Sequence, residues 1–340
     1  MGGAGDRHGR PRVRDLGREA LRDAVEVLDV VGADGDERGR RDLAQALGDR
    51  GVVRGELGVD ADLGVEGAAL HRGDEVGDRR VDGAAVPRDP HADVRPHGGV
   101  DVAALECGGL LNVERLVAAG YRTIAPDLRG FGRTPLEPGV VSNAGDLVAL
   151  LDELDIASAA VVGASFGGRV ALELALRAPE RVRALALLDA GLDEFDWSDE
   201  LDAFDAEETA ALEREDVEDA VRANVRMWVR RAGRTADPAV VELVAAMQRD
   251  AFAAQIGVDA DLEPNDPPVA ERLREIAAPA LVVVGADDVG DFHRLAERFA
   301  AELPNARPVV TIAGAAHLPA LERPDEVAEL LIGFLADLPR

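Results

Sequence analysis

The chain has 340 residues, of which 47% are hydrophobic and 31% charged, and it carries a single cysteine, Cys107. This length suits one large α/β domain with an extension, and the apolar content is enough for a sizeable core. A net charge of −28 argues against nucleic acids and anionic membranes as partners, because both bind basic surfaces. One cysteine excludes an internal disulfide and any multi-cysteine metal site.

Neither membrane insertion nor secretion is expected from the sequence. The longest apolar runs fall short of the roughly 18 to 20 residues that a membrane span needs. The first residues lack the apolar stretch of a signal peptide. We therefore expect an acidic, soluble, cytoplasmic protein, whose oligomeric state the sequence leaves open.

The amino-acid composition changes sharply near residue 110. Residues 1–110 contain no Phe, Tyr, Trp, Ile, Ser, Thr, Asn or Lys, and they hold 21 of the 36 glycines. Glycine raises the entropic cost of ordering a chain, and few bulky side chains are available here to offset that cost. The whole chain uses 38 Arg and no Lys, which indicates a GC-rich gene. We interpret 1–110 as a low-complexity extension that is either disordered or read out of frame.

From about Val113 the pattern alternates between strands and helices, and we assign 113–340 to one domain. Apolar runs predict strands over 122–126, 159–162, 182–188, 280–284 and 308–312. Helical spacing predicts a helix capped by Ser142 or Asn143 and ending at Leu154, and further helices over 167–178, 291–302 and 324–337. Residues 192–275 are predicted to be helical and to form an inserted lid. Such alternation favours right-handed βαβ units and a mostly parallel sheet.

The central motif is Gly163-Ala-Ser-Phe-Gly167, which lies between a predicted strand and a predicted helix. It fits the G-x-S-x-G nucleophile elbow, in which a sharp strand-to-helix turn presents the serine and small neighbours are required. Ser165 is therefore the candidate nucleophile. The backbone N–H of Phe166 is the candidate donor to the oxyanion. A tight glycine turn with an incidental serine is the alternative.

A serine nucleophile needs a base and an acid that orients the base. Two histidines follow the elbow, and we favour His317 because it lies in a small-residue loop just after the last strand, whereas His293 is predicted on a helix surface. For the acid, Asp287 and Asp288 close the strand at 280–284, at the sheet edge where such folds place their sites. The loop position alone leaves both aspartates open.

Ser165, an aspartate and His317 follow one another in the order of the α/β-hydrolases, and residues from about 113 to 338 resemble that family. The resemblance is carried by the segments 119–132, 163–167, 281–288 and 314–324. It implies an α/β-hydrolase fold, with a mostly parallel sheet flanked by helices and a helical lid. Its G-x-x-D pattern selects Asp288 as the acid, and its closing Gly-x-x-His pattern selects His317.

The resemblance implies a serine esterase or lactonase, similar to the 3-oxoadipate enol-lactonase-like group. Its substrate is a small-molecule ester or lactone, with no cofactor and no metal. The substrate itself and the residues that bind it stay unknown. Trp197 and Trp228 are predicted either to line the acyl pocket or to pack the lid on the core. The acidic run at 193–219 is predicted to be a solvated lid surface.

The first third departs from the family pattern. Family members begin with several strands, the last of which runs into a His-Gly pair that supplies a second oxyanion N–H. Here His97-Gly98 follows polar residues and two prolines, so no buried strand is predicted to lead into it. We therefore expect the N-terminal part of the sheet to be incomplete or unrecognisable. The alternative function is a catalytically impaired or non-enzymatic member of the fold that lacks the second oxyanion donor.

Overall fold

The computed structural model describes residues 25–28, 101–105, 110–231 and 234–338. These residues form nine strands: β1 Val25–Leu28, β2 Asp101–Leu105, β3 Arg122–Pro126, β4 Gly139–Val141, β5 Ala159–Ala164, β6 Val182–Leu188, β7 Ala260–Leu262, β8 Ala280–Gly285 and β9 Val310–Ile312. Seven of them form the main sheet, in the order β1-β3-β2-β5-β6-β8-β9. β1 is antiparallel to β3, and every other pair of neighbours in this sheet is parallel.

The helices of the described residues are α1 Leu110–Ala118, α2 Asn143–Glu153, α3 Phe166–Arg177, α4 Asp199–Glu213, α5 Val217–Trp228, α6 Pro238–Gln255, α7 Val269–Arg272, α8 Gly290–Glu302, α9 Pro319–Glu322 and α10 Pro324–Ala336. Short 3₁₀ turns cover Pro179–Arg181 and Leu273–Glu275. A bilayer could not be crossed by any helix in this part of the chain, since each lacks the necessary length or hydropathy.

Both faces of the main sheet are covered by helices, because the central strands β5 and β8 are apolar along their whole length. Along β5, Ala159 and Val161 pack on the face covered by α2, α3 and α8, whereas Ala160 and Val162 pack on the face covered by α1 and α10. Successive side chains of a strand point to opposite faces, so a continuous apolar run serves two cores. The same alternation along β6 and β8 joins these strands to both layers.

The segment between β6 and β8 contains α4 to α7 and β7, in agreement with the helical character predicted for 192–275. β7 pairs in parallel with β4 to form a separate two-stranded sheet. α4, α5 and α6 are joined by the buried amide of Asn224, whose Nδ2 donates to Glu208 Oε1 (2.5 Å). Its Oδ1 accepts from Gln248 Nε2 (3.1 Å) and from Trp228 Nε1 (3.0 Å). This network fixes the orientation of the Trp228 ring at the end of α5.

The start of the sheet differs from the expectation based on composition. β2 falls within 1–110, yet it lies in the middle of the sheet between β3 and β5. Its Val102, Ala103 and Ala104 are buried. A boundary at residue 110 is therefore too late, because small apolar residues suffice for a five-residue strand with neighbours on both sides. Within 1–110, the described residues are those of β1 and β2 and Leu110, the first residue of α1. The rest of this segment lies outside the described residues.

Candidate active site

Ser165 forms the turn between β5 and α3, and its backbone is strained. Its φ of 49° lies in the left-handed region, which costs a non-glycine residue about 1 to 3 kcal/mol. Two hydrogen bonds hold this conformation: the Ser165 N–H donates to the Leu188 carbonyl (3.0 Å), and the Gly191 N–H donates to the Ser165 carbonyl (2.9 Å). The end of the neighbouring strand β6 therefore fixes the serine above the sheet edge.

The small residues of the motif have a steric reason. A Cβ at Gly163 would lie 2.5 Å from the carbonyl oxygen of Gly167 and 2.8 Å from the Cα of Gly168. Real side chains do not approach that closely, so only glycine lets α3 begin immediately behind β5. The sequence prediction of a strand, a sharp turn and a helix at this point agrees with the structure.

The structure brings Ser165, His317 and Asp288 into one hydrogen-bonded chain. His317 Nε2 lies 2.8 Å from Ser165 Oγ, and His317 Nδ1 lies 2.9 Å from Asp288 Oδ2. A carboxylate can only accept, so Nδ1 carries the proton and Nε2 is left to accept from the serine hydroxyl. His317 is only 3% exposed, so its ring is held by the surrounding protein.

Asp288 is held as a carboxylate by its partners. Burial pushes the pKa of Asp288 up, but His317, Asp189 and the Val289 N–H together outweigh burial and hold the pKa below its ordinary value. The Val289 N–H adds a further bond to Asp288 Oδ1 at 2.7 Å. Asp287, the alternative acid, points elsewhere: it is 3.2 Å from Arg234 Nε, and 42% of its side chain is exposed.

The loops that carry the acid and the base are bonded to each other. The Ala286 N–H donates to the Ile312 carbonyl (2.9 Å), and the Asp287 N–H donates to the Ala315 carbonyl (2.9 Å). The loop after β9 passes so close to Gly285 that a Cβ there would collide with the carbonyl oxygen of Ala316. Glycine at the end of β8 therefore allows the His317 loop to reach Asp288.

Aromatic rings pack against His317. The Trp228 ring lies 4.4 Å from the imidazole, and the Phe292 ring lies 4.3 Å from it. Trp228 also makes an edge contact with Phe204 of α4 at 5.0 Å. The segment between β6 and β8 thus contacts the histidine directly, and aromatic rings pack against the imidazole. Trp197 lies one ring further away and packs on Phe292 at 5.8 Å.

A second buried carboxyl group, that of Asp189, lies beside the chain of three residues. One ligand atom each from Asp189, Asp288 and His317 lie within 4.8 Å of one another, which is spacing that a metal ion could use. The His317–Asp288 hydrogen bond already accounts for two of these groups without a metal. Asp189 was not singled out by the sequence analysis, and its only sequence signal is a charged residue directly after an apolar strand.

The remaining predicted residues fall partly inside and partly outside the described ranges. Phe166 is the first residue of α3, where a helix leaves its N–H groups without intrahelical partners. His293 is half-buried on α8 and is not the histidine bonded to Ser165. His97-Gly98 and Cys107 lie outside the described residues.

Comparison with known proteins gives consistent matches. The model of the Alpha/beta hydrolase family matches residues 97–330. The chain is 34% identical over 237 residues to BpoC of Mycobacterium tuberculosis, which carries a provisional name as a non-heme bromoperoxidase; the match covers 66% of this chain and 87% of that one. A thermophilic esterase from Thermogutta terrifontis has a similar structure, with a TM-score of 0.57, 26% identity, and coverage of 71% and 90%. Est816, described as an N-acyl homoserine lactone degrading enzyme, gives a TM-score of 0.54, 26% identity, and coverage of 69% and 93%.

Proposed function

Because the chain belongs to the alpha/beta hydrolase family, we propose that it hydrolyses a carboxylic ester or lactone through Ser165, His317 and Asp288. One observation carries this proposal: the continuous bonding from Ser165 Oγ to His317 Nε2 (2.8 Å) and from Nδ1 to Asp288 Oδ2 (2.9 Å). That arrangement allows a serine to lose its proton as it attacks.

The reaction follows in two halves. Ser165 Oγ attacks the carbonyl carbon while its proton moves to His317 Nε2. The bond from carbon to the leaving oxygen then breaks, and that oxygen takes the proton from Nε2. Water repeats the sequence on the acyl-enzyme, which releases the carboxylic acid and restores the serine. Asp288 accepts from Nδ1 throughout and stabilises the imidazolium that forms twice.

We assign the Phe166 N–H as one donor to the oxyanion. It lies at the first residue of α3, where the partial positive charge of the helix end adds to the hydrogen bond. A donor of this kind is worth about 2.7 to 4 kcal/mol of transition-state stabilisation. A fast enzyme of this class needs a second donor, so a slow or inactive protein with a correctly aligned serine is the rival proposal.

The surroundings favour a neutral substrate with an apolar acyl group. Trp228 and Phe292 cover His317, and Phe131 lies 6.1 Å from the ring of Phe166 next to the serine. The chain carries a net charge of −28, which weakly repels anionic substrates. The structural similarity to an esterase and to a lactone-degrading enzyme supports both branches of the proposal.

Covalent labelling with a fluorophosphonate probe tests the nucleophile. We expect intact-mass analysis to find one probe per chain, lost in Ser165→Ala and retained in Ser158→Ala, which alters a serine away from the site. Labelling that persists in Ser165→Ala would remove Ser165 from the mechanism. Labelling without turnover of short-chain esters or lactones would favour the impaired alternative.

A further inference from the structure

Asp189 occupies a position that brings it to the active-site edge of the sheet. It directly follows β6, the neighbour of β8, and its N–H donates to the Val283 carbonyl of β8 at 2.9 Å. Its φ of 44° is unusual for a residue other than glycine, so its side chain is held in place at a conformational cost. Only 1% of the residue is exposed.

The Asp189 carboxyl group has a donor on one oxygen only. Oδ1 accepts from the Gly285 N–H at 2.9 Å. Oδ2 is buried and receives no hydrogen bond from an N–H or a hydroxyl of the described residues. The neighbouring carboxyl group is that of Asp288, and an oxygen of each aspartate lies within 4.8 Å of the other. Two buried carboxylates in contact repel each other, so an arrangement of this kind is stable when one of them holds a proton.

The proton belongs on Asp189 rather than on Asp288. Burial raises the pKa of Asp189 well above its ordinary value, and the nearby charge of Asp288 raises it further, against the lowering effect of the Gly285 N–H. The pKa of Asp288 is instead held below its ordinary value, chiefly by His317 acting against burial. Asp189 is thus the protonated acid of the pair, and Asp288 is the ionised carboxylate.

We propose that Asp189 is a neutral carboxylic acid that donates a hydrogen bond to Asp288 and so positions the carboxylate that orients His317. This inference rests on the proposed function for its effect on turnover, but not for the protonation itself. Asp288 then receives three donors, from Asp189, the Val289 N–H and His317 Nδ1. With all three in place the carboxylate cannot rotate away from the imidazole.

The titratable groups near Asp189 belong to three segments of the described chain. Asp288 follows β8, His317 follows β9, and Glu322 of α9 contributes a further negative charge that raises the pKa of Asp189. Glu322 is bonded to Arg234, which also contacts Asp287. Arg234 thus pairs with the carboxylates of Glu322 and Asp287. It does not neutralise Asp189, which instead keeps its proton.

Replacing Asp189 by asparagine tests whether Asp189 acts as a neutral hydrogen-bond donor or as an ionised carboxylate. The asparagine side chain would keep an acceptor for the Gly285 N–H and an amide N–H for Asp288, and asparagine tolerates a positive φ. We expect Asp189→Asn to keep kcat within about threefold of the wild type, as befits a replacement of one neutral donor by another. Asp189→Ala removes both bonds, and we expect kcat to fall about tenfold or more with KM little changed. A fall with Asp189→Asn as deep as that with Asp288→Asn would overturn the proposal, because it would make Asp189 the ionised acid.

Thermal unfolding of the full chain at pH 4 to 8 tests the proton without using catalysis. The unfolded chain releases the Asp189 proton above about pH 4, whereas the folded protein keeps it. Folding therefore takes up a proton at Asp189, and the contribution of Asp189 to the stability of the wild type falls as pH rises from about 4 towards its raised pKa. Asparagine has no such proton, so the melting temperature of Asp189→Asn should gain on the wild type as pH rises. A difference that does not change with pH would overturn the proposal.

Turnover and the pH series of melting temperatures distinguish a failure of the proposed function from a failure of the role given to Asp189. If the wild type turns over no ester or lactone, the proposed function fails, while the melting series still decides the protonation of Asp189. If turnover is normal and the melting difference is flat, the proposed function stands and the role given to Asp189 is lost. Asp189→Asn carries both tests, so a failure of Asp189→Ala to fold would not affect either.

Discussion

Exchanging each of two adjacent aspartates for asparagine gives a matched test of the acid. Asp288 and Asp287 are neighbours in one loop, and each exchange removes one negative charge. Asp288 lies 2.9 Å from His317 Nδ1 with its side chain fully buried, whereas Asp287 contacts Arg234 and is 42% exposed. A difference between the two variants therefore reports the buried hydrogen bonds of Asp288, including the one to the histidine, rather than the loss of a charge.

The loss of kcat expected for Asp288→Asn follows from the tautomer that His317 would adopt in this variant. An amide placed at Oδ2 donates its N–H to Nδ1, which moves the imidazole proton to Nε2. Nε2 can then no longer accept from Ser165, from which it lies 2.8 Å. A wrong tautomer of this kind lowers kcat by about 10⁴ in a serine hydrolase triad.

Asp287→Asn is expected to change kcat by less than about fivefold. Its ion pair with Arg234 is partly exposed, and such pairs contribute about 0 to 1 kcal/mol. The assay is steady-state hydrolysis of an activated ester at pH 8, with melting temperatures to confirm that both variants fold. Equal losses in the two variants, or the larger loss in Asp287→Asn, would refute the assignment of the acid.

Two further predictions address the sheet and the ring that covers the histidine. Val102→Asp should prevent folding or lower the free energy of unfolding by several kcal/mol, because it buries an unpaired charge in the central strand β2. The control Val140→Asp, at a 54% exposed position, should lower it by about 1 kcal/mol or less. Comparable melting temperatures of the two variants would show that β2 is not part of the fold. Trp228→Ala should lower kcat/KM about tenfold while Trp228→Phe retains most of it, because phenylalanine keeps an aromatic face against the imidazole. Trp197→Ala, which removes a ring one contact further away, serves as the control for Trp228.

Much of the geometry of the candidate site could be predicted because its determinants are local. The elbow at Ser165 requires an apolar strand, a small-residue turn and a helix within about 15 residues, and each leaves a clear pattern in the sequence. His317 and the pair Asp287 and Asp288 each follow an apolar strand closely, and the family resemblance selected Asp288 from that pair. Parallel strands end at the same edge, so three positions far apart in the chain were expected to meet.

What escaped prediction depends on tertiary context. β2 is built from small apolar residues in a glycine-rich stretch, and a composition averaged over 110 residues conceals a strand of five. Asp189 has no motif, and its role follows only from the pairing of β6 with β8, which brings two carboxyl groups together. The choice of Trp228 over Trp197 likewise required the helix orientations, since both lie in the same inserted segment.

The main sheet and the inserted segment position different parts of the candidate site. Ser165, Asp189, Asp288 and His317 follow β5, β6, β8 and β9, which are successive neighbours in the sheet. Their mutual distances are therefore fixed by strand spacing and by the hydrogen bonds between adjacent loops. Trp228 is positioned instead by the Asn224 network of α4, α5 and α6. Changes in that network should alter which acyl groups are accepted while the bonding from Ser165 to Asp288 persists, because no strand of the main sheet contributes to it.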